Sequence, residues 1–360
     1  MTNYLLAGGG TAGHVNPLLA LAELIKATDP AAEIVTLGTA EGLESKLVPQ
    51  RGFELVTIAR LPFPRKPSLY ALSFPLRYRQ AVAQVRQLIR TRKIDVVVGF
   101  GGYAAAPAYS AAKREKIPYV IHEANALPGM ANKLGARGTK YVGVTFPGTP
   151  MPGAVVTGMP LRQEITKLDR AALRATAAAH FELNPALPTL LVTGGSLGAR
   201  GINQGMAGAA AEIVASGAQV LHIWGGLTAV ADPQQPGYRV LQYCDRMDLA
   251  FAIADLAVSR AGSTTVSEIS GLGIPAVFSP YRHGNGEQAL NCRAVVAAGG
   301  ALAVEDSDIT TAWVQQTLLP LLHDKQRLAE MSAAAKTVAR LDGTEQLLQL
   351  VQRALQEHGE

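Results

Sequence analysis

The chain has 360 residues, 48% of them hydrophobic and 17% charged, which is enough length for two domains with full cores. Its two cysteines, Cys244 and Cys292, exclude a disulfide framework, and 36 glycines with only 6% aromatics favour close-packed α/β layers over an all-β fold. The formal net charge of +5 and pI of about 9.2 invite an anionic partner.

Tyr4-Leu5-Leu6-Ala7 reads as a first strand. It runs straight into Gly8-Gly9-Gly10-Thr11-Ala12-Gly13-His14, and the apolar run Leu18 to Ile25 reads as a buried helix. Asn16 suits the N-cap of that helix and Pro17 its first turn. The glycines then lie between a strand end and a helix N-terminus, where outward-facing N–H groups and the helix dipole favour an anion. His14 is the one titratable side chain of the loop. With a strand beginning so soon, no signal peptide is expected.

Glu33 to Gly38 is a second strand. It ends in Gly38-Thr39-Ala40, without the acidic residue that a dinucleotide site places there, and the first loop has no clean GxGxxG. NAD is therefore disfavoured. Phe53 to Ile58 is a third strand. From Leu55 to Ile94 there is no Asp or Glu, while Arg60, Arg65, Lys66, Arg77, Arg79, Arg86, Arg90, Arg92 and Lys93 are mixed with leucines and aromatics. Prolines 62, 64, 67 and 75 keep the early part irregular, and a helix is expected from Leu76, with Val82, Val85, Leu88 and Ile89 facing the core. A solvated face needs no exposed leucines, and no nucleic-acid motif accompanies the charge. Docking on an anionic membrane surface is the favoured reading.

Ile94 to Gly99 is a buried strand that opens into Phe100-Gly101-Gly102-Tyr103, a further Gly loop on the same carboxyl edge. Strand Tyr119 to His122 ends at Glu123-Ala124-Asn125. The plain alternatives are a core histidine for His122 and an Asx cap for Asn125. Strand Tyr141 to Val144 leads to a Pro/Gly-rich stretch, and Gly158 and Pro160 mark a boundary, with Arg162 just past it and able to reach an interdomain cleft. The uncharged runs Val96 to Ala112 and Tyr141 to Leu161 are too broken by Gly and Pro to span a bilayer, so a soluble or peripheral protein is expected.

The second half repeats the opening. Strand Thr189 to Thr193 enters Gly194-Gly195-Ser196-Leu197-Gly198-Ala199-Arg200-Gly201 and an Ala-rich helix. Strands follow at Val220 to Ile223, Tyr238 to Leu241, Leu256 to Ser259 and Ala276 to Phe278. Arg260-Ala261-Gly262-Ser263 precedes a helix from Thr264 to Leu272 that carries Glu268 near its start. Glu268 is either a dipole-stabilised surface carboxylate or an acceptor for two ribose hydroxyls, and its setting favours the second. The polar loop Tyr281 to Gln288, with His283 and Gly284 at its centre, suits sugar hydroxyls. Asp342 and Glu345 resemble a capping box for an amphipathic last helix.

These motifs, in this order, resemble the MurG family: UDP-N-acetylglucosamine:undecaprenyl-pyrophosphoryl-N-acetylmuramoyl-pentapeptide N-acetylglucosaminyltransferases. The likeness covers essentially the whole chain. It implies an α/β fold of the GT-B type, two Rossmann-like domains with parallel sheets facing an interdomain cleft. Residues 1–160 would be the acceptor and membrane-docking domain, 161–340 the donor domain, and 341–360 a helix packing back on the first. The implied reaction is inverting transfer of N-acetylglucosamine (GlcNAc) from UDP-GlcNAc to the muramoyl 4-hydroxyl of lipid I, giving lipid II for the cell wall. Ser196 and Arg162 would meet the UDP phosphates, the backbone at Cys244 the uracil, Glu268 the ribose, and Gln288 the sugar hydroxyls. Asn125 would lie beside the donor sugar. Thr11 and Gly13, with Gly10, Gly101, Gly102 and Tyr103, would cradle the acceptor diphosphate. Where some members carry paired glutamines, this chain has Glu287-Gln288, so only Gln288 is carried over.

Amides at Gly195 to Gly198 would stabilise the departing UDP without a metal, so no cofactor is required and no protein-bound divalent metal is expected. His14 is the candidate base, by its position and residue type, and Glu123 the fallback. The expected partners are UDP-GlcNAc, lipid I, an anionic membrane and other cell-wall synthesis proteins, with no nucleic acid; the expected place is the cytoplasmic face of the cell membrane, held peripherally. The rivals are a UDP-sugar 2-epimerase of the same layout, which needs no membrane window, and a non-catalytic membrane scaffold.

Overall fold

The computed structural model describes residues 1–64, 66–226, 231–282 and 285–359. Arg65 of the basic window, and His283 and Gly284 of the polar loop, lie outside the described residues. The chain forms two compact units, Met1–Arg162 with Asp342–Glu360, and Gln163–Leu341.

The first unit holds seven parallel strands: β1 (Asn3–Ala7), β2 (Glu33–Thr39), β3 (Glu54–Ile58), β4 (Val96–Gly99), β5 (Tyr119–Glu123), β6 (Val142–Val144) and β7 (Val155–Val156), in the order β3-β2-β1-β4-β5-β6-β7. Leu5 pairs with Val35 on one side and Val97 on the other. The central strands read as unbroken apolar runs because helices cover both faces. Leu5 and Ala7 point into one helical layer, and Tyr4 and Leu6 into the other. The order reverses between β1 and β4, so the loops that leave these two strands flank the crevice where such sheets bind ligands.

Helix α1 (Ala12–Thr28) starts earlier than its sequence suggests. Thr11 is its N-cap residue, and Asn16 and Pro17 lie inside the helix. Pro17 removes one N–H, but burial of Val15, Leu18, Leu19, Leu21 and Ile25 on the sheet outweighs that loss. His14 therefore sits in the first helical turn, not in the loop. Helix α2 (Glu44–Gln50) follows β2. Helix α3 (Leu69–Thr91) also begins before the expected point, because the Ser68 hydroxyl accepts from the Ala71 N–H and nucleates a turn ahead of Pro75. Its core face is Ala81, Val82, Val85 and Ile89, with Leu88 half-buried. Helices α4 (Ala105–Glu115) and α5 (Met130–Gly135) complete that layer.

The C-terminal helix Gly343–Gly359 packs in the opposite layer, where Leu347, Leu350, Val351 and Ala354 join Leu18, Leu21 and Phe100 in one core. The Thr344 hydroxyl accepts from the Leu161 N–H at 3.1 Å and donates to its carbonyl at 3.0 Å.

The second unit repeats the scheme with β8 (Thr189–Thr193), β9 (Gln219–Ile223), β10 (Tyr238–Leu241), β11 (Leu256–Ser259), β12 (Ala276–Phe278) and β13 (Ala301–Ala303), all parallel, in the order β10-β9-β8-β11-β12-β13. Relative to its first strand, this is the same reversal as in the first unit. β13 has no counterpart in the sequence reading, since Ala301-Leu302-Ala303 carries no β-branched residue.

Candidate active site

In the first unit, the loops after β1 and β4 lie backbone on backbone. A Cβ on Gly102 would stand 2.4 Å from the Gly9 carbonyl oxygen, so no larger residue fits there. Gly10, Gly101 and Gly102 have φ of 90°, 94° and 79°, which only glycine adopts without strain. Not every amide of this cradle is open, as the sequence reading assumed. The Gly10 N–H donates to Glu44 Oε2 at 2.7 Å, and Glu44 Oε1 accepts from the Thr39 N–H and hydroxyl, both at 2.8 Å. Burial pushes the Glu44 carboxyl up, but these donors together outweigh burial and hold it below the usual carboxylate range. The N–H groups of Thr11, Ala12 and Gly13 have no acceptor among the described residues.

His14 Nδ1 lies 3.0 Å from the Gly9 carbonyl oxygen and 3.4 Å from Thr11 Oγ1. The carbonyl only accepts, so Nδ1 carries the proton and the neutral ring keeps its lone pair on Nε2. Nε2 faces the Gly101 turn, where a Cβ would lie 3.1 Å away.

Glu123 ends β5 and is buried. Its Oε1 accepts from the Asn125 N–H, and its Oε2 from the Gly129 N–H and from Asn132 Nδ2 at 2.9 Å. Both oxygens are thus committed to folding the 123–129 loop. The N-cap residue of α5 is Gly129, and Asn125, half-buried, is not the cap of that helix. Asn132 also touches the Gly101 turn and accepts from the Tyr109 hydroxyl at 2.7 Å, so it joins the two loops. His122 is a core histidine: its Nε2 donates to the Gly158 carbonyl at 3.0 Å, and burial lowers its pKa to about 4. Arg162, half-buried, is the last residue of this unit.

Part of the basic window is structural. Arg86 and Arg90 both pair with Glu115, at 2.6 and 2.7 Å, and Arg92 pairs with Glu54. At the start of α3, Leu69, Leu72 and Leu76 lie on one helix side and are 86%, 80% and 61% exposed, with Phe63 beside them at 52%. Among the described residues no helix is long and apolar enough to cross a membrane.

In the second unit, the loop 194–199 after β8 is as tight as its counterpart. A Cβ on Gly194 would meet the Ala199 nitrogen at 2.2 Å, and one on Gly225 the Gly198 nitrogen at 2.3 Å. The Gly198 N–H turns back on the Gly195 carbonyl. The Ser196 and Leu197 N–H groups have no acceptor among the described residues, and Ser196 is exposed. Across the switch point, Arg260 forms a fork with Asp306, at 2.5 and 2.6 Å. The Asp306 carboxylate fills the space beside Gly201 at the start of helix Arg200–Gly208, where a Cβ would lie 2.4 Å from Oδ2. Burial raises Asp306, but Arg260 and Ser279 outweigh it and hold its carboxyl below the usual range.

Glu268 is buried and is the sixth residue of helix Ser263–Gly271. The helix begins at Ser263, so Glu268 lies beyond the first turn and draws little from the dipole, which corrects its expected place near the helix start. Gln288 Oε1 accepts from the Tyr281 N–H at 3.0 Å, leaving its amide NH₂ to donate. Cys244 is buried beyond β10, and burial pushes its thiol up to about 11, which makes it unreactive. Thr11, Gly13, His14 and the Gly101–Tyr103 turn are thus brought together in one unit, and Ser196, Glu268, Gln288 and Cys244 belong to the carboxyl edge of the other sheet. Among the described residues no group of three or more His, Cys, Asp or Glu is placed to hold a metal ion.

Residues 4–144 match the profile of the glycosyltransferase family 28 N-terminal domain, and residues 189–347 that of the family's C-terminal domain. The chain belongs to glycosyltransferase family 28. Relatives are similar to this family 28 chain over its full length. It is 58% identical over 355 residues to the UDP-N-acetylglucosamine--N-acetylmuramyl-(pentapeptide) pyrophosphoryl-undecaprenol N-acetylglucosamine transferase of Leifsonia xyli subsp. xyli, covering 99% of both chains. The protein of the same name from Streptomyces coelicolor is 47% identical over 357 residues, covering 98% of both chains. Among solved structures, Acinetobacter baumannii MurG superposes with a TM-score of 0.78 at 28% identity, over 98% of this chain and 100% of that one. A UDP-GlcNAc 2-epimerase from Neisseria meningitidis reaches a TM-score of 0.69 at 14% identity, over 98% of this chain and 100% of that one, a likeness of fold alone. The two sheets are thus those of the GT-B class.

The sequence reading missed Glu44, Asn132 and Asp306. For Glu44 a signal was present. It follows Gly38 and Gly42, and a Cβ on either, or on Gly9, would stand within 2.5 Å of its side chain. A carboxylate among glycines after the second strand marks a buried acceptor.

Proposed function

We propose that this family 28 enzyme transfers GlcNAc from UDP-GlcNAc to the muramoyl 4-hydroxyl of lipid I, with inversion, forming lipid II for peptidoglycan. One observation carries the reading: full-length relatives at 47–58% identity bear the name of that transferase. The epimerase shares only the fold at 14% identity, and it leaves the exposed leucines and basic residues of α3 without a use.

In this reading the donor lies on the second unit. The Ser196 and Leu197 amides, with the start of helix Arg200–Gly208, receive the UDP diphosphate, and Arg162 assists. Glu268 holds the ribose, the backbone at Cys244 the uracil, and the Gln288 amide the sugar hydroxyls. Asn125 stands beside the donor sugar. The acceptor diphosphate rests on the amides of Thr11, Ala12, Gly13 and the Gly101–Tyr103 turn. The acceptor oxygen attacks the anomeric carbon as the bond to UDP breaks. His14 Nε2 takes the hydroxyl proton, since its lone pair is free while both Glu123 oxygens are engaged. The amides meet the charge that builds on UDP and need no protein-bound metal for it.

The leucines of α3, with Lys66, Arg77, Arg79 and Lys93, dock the enzyme peripherally on the anionic cytoplasmic leaflet. Each cation near that surface adds about 1 kcal/mol. Other cell-wall synthesis proteins are reached from the same surface.

Incubation with labelled UDP-GlcNAc and a lipid I analogue tests the reading. Label in the lipid-linked disaccharide is the expected result. UDP-N-acetylmannosamine instead would install the epimerase, and no product would leave a scaffold.

A further inference from the structure

We infer that Arg60 is a substrate-binding residue: its guanidinium, held on the Tyr103 ring, grips the acceptor diphosphate at the Gly101–Gly102 turn. Composition alone grouped Arg60 with the membrane-facing basic run. Its surroundings differ from those of that run. The Arg60 guanidinium carbon lies 5.0 Å from the centre of the Tyr103 ring, and Nη2 makes a long hydrogen bond of 3.4 Å to the Tyr103 hydroxyl. Tyr103 directly follows two positive-φ glycines, Gly101 facing His14 and Gly102 packing on Gly9. The cation is thus placed at the mouth of the amide cradle, on the loop assigned to the acceptor.

What Arg60 lacks is as telling. Arg86, Arg90 and Arg92 of the same run are all paired with glutamates. Arg60 has no carboxylate within ion-pair distance among the described residues; Tyr103 is its hydrogen-bond partner, and Glu41 acts on it only as a weaker, more distant charge. A phenol positions a guanidinium without neutralising it. Stacking orders the planar fork at small entropic cost and leaves N–H donors for a second, anionic acceptor. A diphosphate presents the paired oxygens that such a fork matches, and it adds charge-assisted bonds to those of the neutral amides. This inference rests on the acceptor placement proposed above and adds the one cation that placement lacked.

The test uses the full-length enzyme and a short-chain, water-soluble lipid I analogue, without vesicles. Arg60→Ala should raise the acceptor KM about tenfold, with kcat and the UDP-GlcNAc KM within about twofold of wild type. Arg60→Lys should recover only part of the loss, because an ammonium keeps the charge but not the fork. With an analogue whose diphosphate is replaced by an uncharged spacer, wild type and Arg60→Ala should share one KM. An unchanged KM for the soluble diphosphate acceptor, with weaker binding to phosphatidylglycerol vesicles, would return Arg60 to the membrane surface and overturn the inference. An equal loss on the uncharged analogue would make its role structural and overturn it too. Failure of the reaction assignment shows separately, as wild-type enzyme that labels no acceptor.

Discussion

The Glu44 carboxylate accepts the Gly10 N–H at 2.7 Å and thereby places an acidic side chain inside the loop proposed for the acceptor diphosphate. The loop proposed to receive an anion is itself shaped by one. With Glu44 in place, Gly10 is pinned and the next amides, Thr11 to Gly13, are turned outward. Glu44→Gln keeps the size but sets an NH₂ donor against either the Gly10 or the Thr39 N–H. Leaving one buried donor unmet costs about 1–3 kcal/mol. The acceptor KM should rise about tenfold while UDP-GlcNAc affinity is unchanged. Steady-state kinetics against both substrates, with a melting curve, check this; an unchanged acceptor KM would separate Glu44 from the loop's function.

His14→Ala should lower kcat by roughly 10²–10⁴, the usual worth of a positioned base. Single-turnover rates at saturating substrates measure it directly. His14→Asn puts its amide nitrogen where Nδ1 lies, so it keeps a donor toward Gly9 but has no basic nitrogen, and it separates loop geometry from proton transfer. If both variants stay within a few-fold of wild type, the base lies elsewhere.

Most of the fold was legible because buried parallel strands are short apolar runs, and Gly loops punctuate them. Val96-Val97-Val98 and Leu190-Leu191-Val192 could hardly be anything else. The α1 and α3 starts were not legible, because Pro17 and Pro75 argue locally for a boundary, whereas Val15 and Leu18, buried on either side of Pro17, and the Ser68 cap ahead of Pro75 carry the helices through. Of the candidate site, the parts whose chemistry lies in the backbone were the plainest in the sequence. Gly10, Gly101 and Gly102 announce themselves by composition. Glu44, Asn132 and Asp306 act across gaps of 34, 9 and 46 residues from Gly10, Glu123 and Arg260, and of the three only Glu44, set among glycines, carries a local signal. Arg60 was visible as one of the basic run, and only the fold brings Tyr103 beneath it.

Acid should weaken both units above the range where carboxylates protonate. His122 in the first unit and His222 in the second are buried and neutral, each with a pKa lowered by burial from 6.5 to about 4. His222 is held by Tyr238 at 2.9 Å and Asn203 at 3.1 Å. Above the unfolded value neither state takes the proton, and pH has no effect through these groups. Between pH 6.5 and 4 the unfolded chain binds protons that the folded chain refuses, so stability falls as pH falls. Each histidine contributes a loss of roughly 3 kcal/mol across that window. The lowered carboxyls of Glu44 and Asp306 add their own loss only further down, as pH falls below their unfolded values. Melting temperature against pH for wild type and for His122→Gln, whose amide nitrogen takes the place of Nε2 and still donates toward Gly158, checks this; the variant should lose less between pH 6.5 and 4.

Truncating Leu347 should damage the first unit from the far end of the chain. Leu347 is fully buried in the core that contains Leu18 of α1 and Phe100 after β4, the elements beside the two Gly loops of the first unit. Leu347→Ala leaves a cavity there and should cost about 2–5 kcal/mol. Gln349→Ala, on the exposed side of the same helix, should stay within about 0.5 kcal/mol. With two units, unfolding need not be a single transition, so the loss should appear in the component assigned to the first. Calorimetry of UDP-GlcNAc binding is the companion measurement. Most of the residues proposed for the donor, Ser196, Glu268, Gln288 and Cys244, belong to the second unit, whose core is built from β8, β11 and the helices beside them, and affinity should hold where the first unit is still folded. A Leu347→Ala protein with an unchanged melt would mean that the last helix is not part of the first core.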